Sequence, residues 1–371
     1  MKVLFLPDYM RANAYQRELA RALRAAGATV VAEPTGRRKI LPVLRAVRRL
    51  GRPDLIHLHW VDPYIAGRSP DVSRARVMRT LAELRLMRRL GSAVVWTAHD
   101  LSRHDRPVDR LEIAFGRSLV ALSDAVIVHC EAAHEALVET FGLTADASRK
   151  LHVIPHGHYA DAYEDQVGQA EARQRLGLSA QALVLLFIGW VRPYKGVEDL
   201  LTAFATLDDP DARLVIAGQA LPDAFGQGIA ALAAADGRVA AHLGFVPDEE
   251  LQVYLNAADV VCLPYREIFT SGSVLLAMTF GRAVIAPRRG CIAEALDESG
   301  AILYDASDAN GLAGALRDAQ GTDLAAMGAH NRTRLPDFAW DLIARRTMEV
   351  YALAARRSDR SGDPAARRPG A

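Results

Sequence analysis

Short apolar runs rich in β-branched residues alternate with helical patterns along this chain, and the alternation occurs twice in tandem. The first series comprises residues 3–6, 29–32, 55–60, 93–97 and 125–128, with a helical pattern over 15–26 stopped by Gly27. The second comprises 183–188, 213–218, 239–243, 260–264, 283–287 and 301–303. A strand covered by helices on both faces is buried on both, so its residues are continuously apolar. The pattern predicts α/β architecture, with two Rossmann-like, doubly wound parallel-sheet domains facing a central cleft and ligands held beyond the carboxyl ends of the strands. A length of 371 residues suits two domains. Residues 151–158 and the polar stretch after them mark the boundary. The expected domains are 1–160 and 161–339, with a helix over 340–355 returning to the first. A disordered tail is expected over 356–371, which is rich in Arg, Asp, Gly, Pro and Ser.

No apolar run approaches the roughly 20 residues that span a bilayer, and residues 1–8 read as a buried strand rather than a signal peptide. Cys130, Cys262 and Cys291 lack metal-ligand spacing, so no metal is expected and a cytoplasmic setting is inferred. The net charge of +1 conceals an asymmetry. Residues 1–160 hold 25 Lys and Arg against 16 Asp and Glu, whereas the remainder holds 20 against 28. Between Arg37 and Arg89 there are 14 basic and 4 acidic residues, in two basic and apolar stretches over 37–50 and 74–90. Two readings fit: docking to an anionic membrane surface, or two solvated helices with arginine-rich outer faces. No aromatic interleaving accompanies the charge, so a nucleic-acid partner is not expected.

Five stretches at strand ends can carry chemistry. Gly189, Arg192, Lys195 and Gly196 lie between the strand over 183–188 and a helical pattern beginning near Val197. A glycine and two cations beside a helix N-terminus suit phosphate, although an ordinary surface loop has the same residues. His99, Asp100, His104 and Asp105 follow the strand ending at Thr97, where a carboxylate can take a proton from a hydroxyl and an imidazole can hydrogen-bond one. His57 and His59 share one strand face; His57 reads as a core group, His59 and Trp60 as lining for the site. His156 and His158, at the boundary, read as a hinge whose side chains point into the cleft, with a metal pair as the alternative. The amides of Ser271, Gly272, Ser273 and Val274 can bind phosphate oxygens or simply begin a capped helix.

Over most of its length the chain resembles GT-B glycosyltransferases. In the large retaining families of that fold, a Gly-Arg loop with a Lys-Gly six residues after the glycine binds the donor diphosphate. Gly189 with Lys195-Gly196 reproduces that spacing, with the arginine at Arg192. The same families place two glutamates around a glycine loop, one for the donor sugar and one for the ribose. Glu267 corresponds to the first, and Leu276 stands where the second belongs. Gly281 through Pro287, Gly290 and Glu294 continue the pattern. The combination of His57-Leu58-His59-Trp60, His99, His104, Pro155-His156-Gly157-His158-Tyr159, Arg192 through Glu198 and Ser271-Gly272-Ser273 is similar to bacterial exopolysaccharide mannosyltransferases of the xanthan type.

The resemblance implies transfer of a hexose, best guessed as mannose from GDP-mannose, to a glycan or polyprenyl-linked glycolipid. The nucleotide-diphosphate sugar is a co-substrate and no cofactor is implied. The second domain would hold the donor, with Gly189, Arg192, Lys195, Glu267 and Ser271 to Val274 around it. The first would hold the acceptor near Asp8, His59, Trp60 and His104, with His158 beside the sugar. Asp105 and Asp100 are the candidate bases for an inverting reaction and Asp8 a third, with His99 in the catalytic group. Two rivals remain at this point: a catalytically silent nucleotide-sugar-binding module, favoured by Leu276, and a sugar-nucleotide epimerase that turns over donor with no acceptor.

Overall fold

The computed structural model describes residues 1–33, 40–67, 69–101 and 109–362. They form two compact units, one of Met1–Gly157 together with the chain from Ala339 onward, the other of His158–Phe338.

The first unit contains β1 (Lys2–Leu6), β2 (Thr29–Ala32), β3 (Leu55–Leu58), β4 (Ala93–Thr97), β5 (Ala125–Val128) and β6 (Leu151–Val153). They form one parallel sheet in the order β2-β1-β3-β4-β5-β6. The chain leaves β1 on one side for β2 and returns on the other side as β3. A crevice opens beyond the carboxyl ends at such a reversal, because the connections diverge to opposite faces. The register sets Phe5 beside His57 and His57 beside Val95, in the middle of the sheet.

One face of this sheet is covered by the helix Ala14–Ala25. Asn13 begins it by accepting a hydrogen bond from the Gln16 amide, and Gly27 at φ 90 ends it in a conformation that most residues avoid. Its Tyr15, Leu19 and Leu23 share a core with Trp340, Ile343 and Tyr351 of the helix Trp340–Gly362. That helix continues past residue 355, into the stretch expected to be disordered. Ala354 and Ser358 are buried, and the Arg357 guanidinium donates to the Asp124 carbonyl at 2.9 Å. The inner face therefore keeps making contacts, so the helix does not stop at residue 355.

The second unit contains β7 (Val184–Ile188), β8 (Arg213–Ala217), β9 (Val239–His242), β10 (Val260–Cys262), β11 (Ala283–Pro287) and β12 (Ala301–Tyr304). This parallel sheet has the order β12-β11-β10-β7-β8-β9, with its reversal between β7 and β10. All five residues of β7 are at most 2% exposed, and each large apolar side chain so buried contributes about 1.5–3 kcal/mol. The unit begins at His158 rather than residue 161, since the His158 amide donates to the Phe338 carbonyl and the Tyr159 amide to Thr279 Oγ1, both at 3.1 Å.

Candidate active site

Each unit presents a cluster of polar residues at its own topological reversal. In the second, Gly189 follows β7 at φ 125, a conformation suited to glycine. Its amide donates to the Ala217 carbonyl at 3.0 Å. A side chain starting at Gly189 would meet Ser273 Oγ at 3.5 Å and Lys195 Nζ at 3.6 Å. The glycine backbone, a hydroxyl and an ammonium thus converge on one point. Gly218 packs so closely behind it that an added Cβ would lie 1.9 Å from the Gly189 carbonyl oxygen.

Lys195 closes the 3-10 turn Pro193–Lys195, before Gly196 at φ 69 and the helix Val197–Ala205. Its ammonium lies 3.3 Å from Tyr265 Oη and 4.8 Å from that ring's centroid. The Arg192 guanidinium lies 5.6 Å from the centroid of Trp190, which is half exposed. Ser271 occupies the N-cap position of the helix Gly272–Thr279, but its side chain makes no capping bond and Oγ is buried without a hydrogen-bond partner among the described residues. The first-turn amides at Gly272, Ser273 and Val274 therefore receive no bond from that hydroxyl. Glu267 is exposed, and Leu276 leaves no carboxylate at its position on the helix.

The sequence reading missed the brace that holds this loop. Arg266 grips Asp199 through two bonds of 2.6 and 2.7 Å, reaches Glu198 at 3.3 Å, and its amide donates to the Tyr194 carbonyl at 2.8 Å. A planar guanidinium whose Nε and Nη2 bind the two oxygens of one carboxylate fixes orientation as well as distance. The loop after β10 is thereby tied to the turn after β7. The signal was present as two acids four and five residues after Tyr194 and one arginine after Tyr265, but their pairing depends on β7 and β10 being neighbours.

In the first unit, His59, Trp60, His99, Asp100 and Asp62 line a pocket of about 40 Å³. His99 stacks on Trp60 with centroids 4.2 Å apart and planes at 12°, and His59 Nδ1 lies 3.2 Å from His99 Nε2. His129, which the sequence reading did not single out, and His156, read there as a hinge residue, complete the cluster: the Tyr15 ring centroid is 5.0 Å from His99, 5.4 Å from His129 and 4.5 Å from His156. His57 is a satisfied core group, bonded to Tyr351 Oη at 2.6 Å and Thr97 Oγ1 at 2.7 Å. His129 Nδ1 donates to the Ile154 carbonyl at 2.9 Å, while its Nε2 and that of His59 are buried without a partner among the described residues.

Burial, reinforced in most of them by neighbouring imidazoles, pushes all five histidines down. His57 and His156 fall to about 3 and His129 to about 4, and His59 and His99 lie well below 6.5. The cluster is therefore neutral at pH 7. It can hydrogen-bond hydroxyls but brings no charge. Carboxylates border it instead: Asp100 is half-buried and Asp62 exposed. Glu112 also lines the pocket, though its carboxylate is engaged by the Asp109 amide at 3.0 Å in a capping box.

The remaining expected residues are not gathered here. Asp8 accepts from the Met10 amide at 3.1 Å in the loop after β1, which the buried Gln16 fastens by bonding both Pro7 and Tyr9. His158 belongs to the second unit, where its Nδ1 accepts from the Ala160 amide at 3.2 Å. His104 and Asp105 lie outside the described residues.

Known proteins are similar to this chain. The family model "Glycosyltransferase Family 4" matches residues 7–161, and "Glycosyl transferases group 1" matches residues 182–320. Two sequences of GDP-mannose:glycolipid 4-beta-D-mannosyltransferase from Xanthomonas campestris pv. campestris are similar to this chain. One is 31% identical over 68% of this chain and 66% of the relative, the other 30% identical over 69% and 68%. The aligned part thus spans about two thirds of those relatives. A D-inositol 3-phosphate glycosyltransferase of Streptomyces scabiei is 30% identical over 83% of this chain and 70% of that one. Among solved structures, sucrose-phosphate synthase from Thermosynechococcus elongatus superposes with a TM-score of 0.74 at 22% identity, covering 95% of this chain and 98% of that one, a likeness of fold alone. The chain is a glycosyltransferase of the GT-B fold and belongs to the group 1 family.

Proposed function

We propose that this enzyme transfers a hexose, mannose from GDP-mannose, to a hydroxyl of a polyprenyl-linked glycolipid at the membrane face. The reading is carried by the convergence of the Gly189 backbone, Lys195 Nζ and Ser273 Oγ at the reversal of the second sheet. A diphosphate leaving group needs positive charge where its own negative charge develops, and a fixed ammonium with uncapped helix amides supplies it without reorganisation. Arg192 adds a second cation on the same loop. Ser271 to Val274 contribute amides, and Glu267 takes the donor sugar. No metal enters this account.

The first unit takes the acceptor. Trp60 and the neutral imidazoles of His59 and His99 offer a flat aromatic wall with hydrogen-bonding nitrogens, which suits a hydroxyl-rich ring. Asp100, bordering the same pocket, is the base for an inverting displacement, with Asp105 and Asp8 as the other candidates, and His104 is a further sugar ligand. The choice of GDP-mannose and a glycolipid is supported by the names of the Xanthomonas relatives.

A panel of nucleotide sugars incubated with total membrane glycolipid tests this, reading nucleoside diphosphate release and product mass together. GDP release accompanied by a mass gain of one hexose supports the proposal. Donor bound without release points to a silent module, and turnover without acceptor to an epimerase.

A further inference from the structure

A chain of buried hydrogen bonds lies behind the aromatic wall of the first unit. Tyr351, on the helix Trp340–Gly362, is fully buried, and its hydroxyl meets His57 Nδ1 at 2.6 Å. His57 Nε2 meets Thr97 Oγ1 at 2.7 Å, and the Thr97 side chain is hydrogen-bonded to that of Tyr15. The sheet brings the middle links together: His57 is paired with Val95, and Thr97, two residues further along β4, shares its face.

Two paths lead from His57 to the wall. The His57 ring lies 4.2 Å from that of His59 with planes at 32°, and His59 Nδ1 is 3.2 Å from His99 Nε2. At the far end of the chain, Tyr15 meets His99 edge to face, with centroids 5.0 Å apart and planes at 86°. Both paths end on His99, which stacks on Trp60.

Apolar side chains would fill this space as well, because exchanging two buried hydrogen-bond partners for apolar groups of the same shape is nearly neutral for stability. What a satisfied polar chain adds is direction. A neutral imidazole has one N–H and one bare nitrogen. If Tyr351 donates to Nδ1, Nε2 donates to Thr97, whose own hydrogen is left for Tyr15. If Nδ1 donates to Tyr351, Thr97 donates to Nε2 and accepts from Tyr15. In both cases the bonds run head to tail, so a choice made at Tyr351 is carried to Tyr15.

We propose that Tyr351 is a positioning residue of the acceptor site: its hydroxyl fixes the tautomer and tilt of His57, and through His57 the rings of His59 and His99. The inference rests on the reading of that pocket as the acceptor site and extends it to the helix Trp340–Gly362.

The test has two readouts on the full chain: the nitrogen-15 NMR signals of the histidine rings, and KM for detergent-dispersed membrane glycolipid and for GDP-mannose. Tyr351→Phe keeps the ring and removes the hydroxyl. It shifts the ring-nitrogen signals of His57, His59 and His99, and raises KM for the glycolipid about five-fold with KM for GDP-mannose unchanged. Thr97→Val cuts the chain at another link with the same effect, whereas Thr97→Ser keeps the hydroxyl and stays within about two-fold of the intact enzyme. Tyr351→Phe combined with Thr97→Val is about as impaired as either alone, instead of the roughly 25-fold that independent losses would give. Val350→Ala, a buried neighbour on the same helix, lowers the melting temperature without moving either KM. Unmoved His59 and His99 signals in Tyr351→Phe, an unchanged KM for the glycolipid, or losses that multiply in the double variant each overturn the inference. If the signals move but the intact enzyme does not glycosylate the glycolipid, the acceptor reading fails and the positioning of the rings stands.

Discussion

His59 Nδ1 and His99 Nε2 stand 3.2 Å apart, both rings buried at the wall of the pocket. One ring donates and the other accepts, and the contact is lost once both are protonated, when two donors face each other. Protonating either places a positive charge among aromatic rings and three further imidazoles.

This fixes the direction of a pH effect. The five buried histidines have folded values below the unfolded 6.5, with His129 near 4 and His57 and His156 near 3. Below pH 6.5 the unfolded chain takes up protons that the folded one refuses, so stability is full above that value and is lost as the pH falls toward 4. At pH 5.5 the loss is about 1.4 kcal/mol for each such histidine. Urea unfolding followed at pH 8.5, 7.5 and 5.5 should show the midpoint nearly constant over the first step and dropping steeply over the second. A midpoint unchanged at pH 5.5 would show that the imidazoles are hydrated.

Removing the charge at Lys195 tests the phosphate site. Lys195→Ala should lower kcat/KM by about 10²–10³, the usual cost of losing one group that stabilises developing charge. Tyr265→Phe keeps the ring beneath the ammonium and loses only the hydroxyl at 3.3 Å, so a few-fold loss is expected. Initial rates over a range of donor concentration distinguish the two. Equal losses would mean that the contact with the Tyr265 hydroxyl, not the charge by itself, is what the site needs.

Two glycine substitutions separate close approach from composition. At Gly218 the chain sits at φ 144 and an added Cβ would lie 1.9 Å from the Gly189 carbonyl oxygen. Gly218→Ala should therefore destabilise the second unit by about 2 kcal/mol or more and weaken donor binding. Gly228, within the helix Asp223–Ala234, has nothing within 4 Å of that position. Gly228→Ala should be neutral or stabilise by up to about 1 kcal/mol. Thermal unfolding with and without nucleoside diphosphate reads both.

The base assignment predicts that Asp100→Asn lowers turnover by about 10²–10⁴ with little change in melting temperature. Asp8→Asn, measured alongside with Asp105→Asn, ranks the alternatives. Unaltered turnover in both the Asp100 and Asp105 variants removes these two residues from the mechanism.

The fold was legible because buried strands are written as continuous apolar runs, and in a parallel sheet the loop after each run is placed at the carboxyl edge. Gly189, Lys195, His59, Trp60 and His99 could be found that way. His129 was not singled out, and His156 was read only as a hinge residue. They join the cluster because β3, β4 and β5 are adjacent in the first sheet and Tyr15 lies across their ends, and strand order is not written locally in a sequence. The Arg266 brace was hidden for the same reason, since it joins residues 67 positions apart. The end of the last helix was misread because residues 356–362 look polar and loop-like in composition, whereas Arg357 and Ser358 find partners or burial in the first unit.

The central claim is that the Gly189 to Gly196 loop holds the diphosphate of a sugar donor while the sugar is transferred. The most direct measurement compares the intact enzyme with Lys195→Ala at saturating membrane glycolipid, following GDP release from GDP-mannose and the mass of the glycolipid product. The account predicts GDP and hexosylated lipid in equal amounts from the intact enzyme, and both reduced about 10²-fold or more in the variant. Equal turnover by the two proteins, or release of GDP with no change in glycolipid mass, would contradict it.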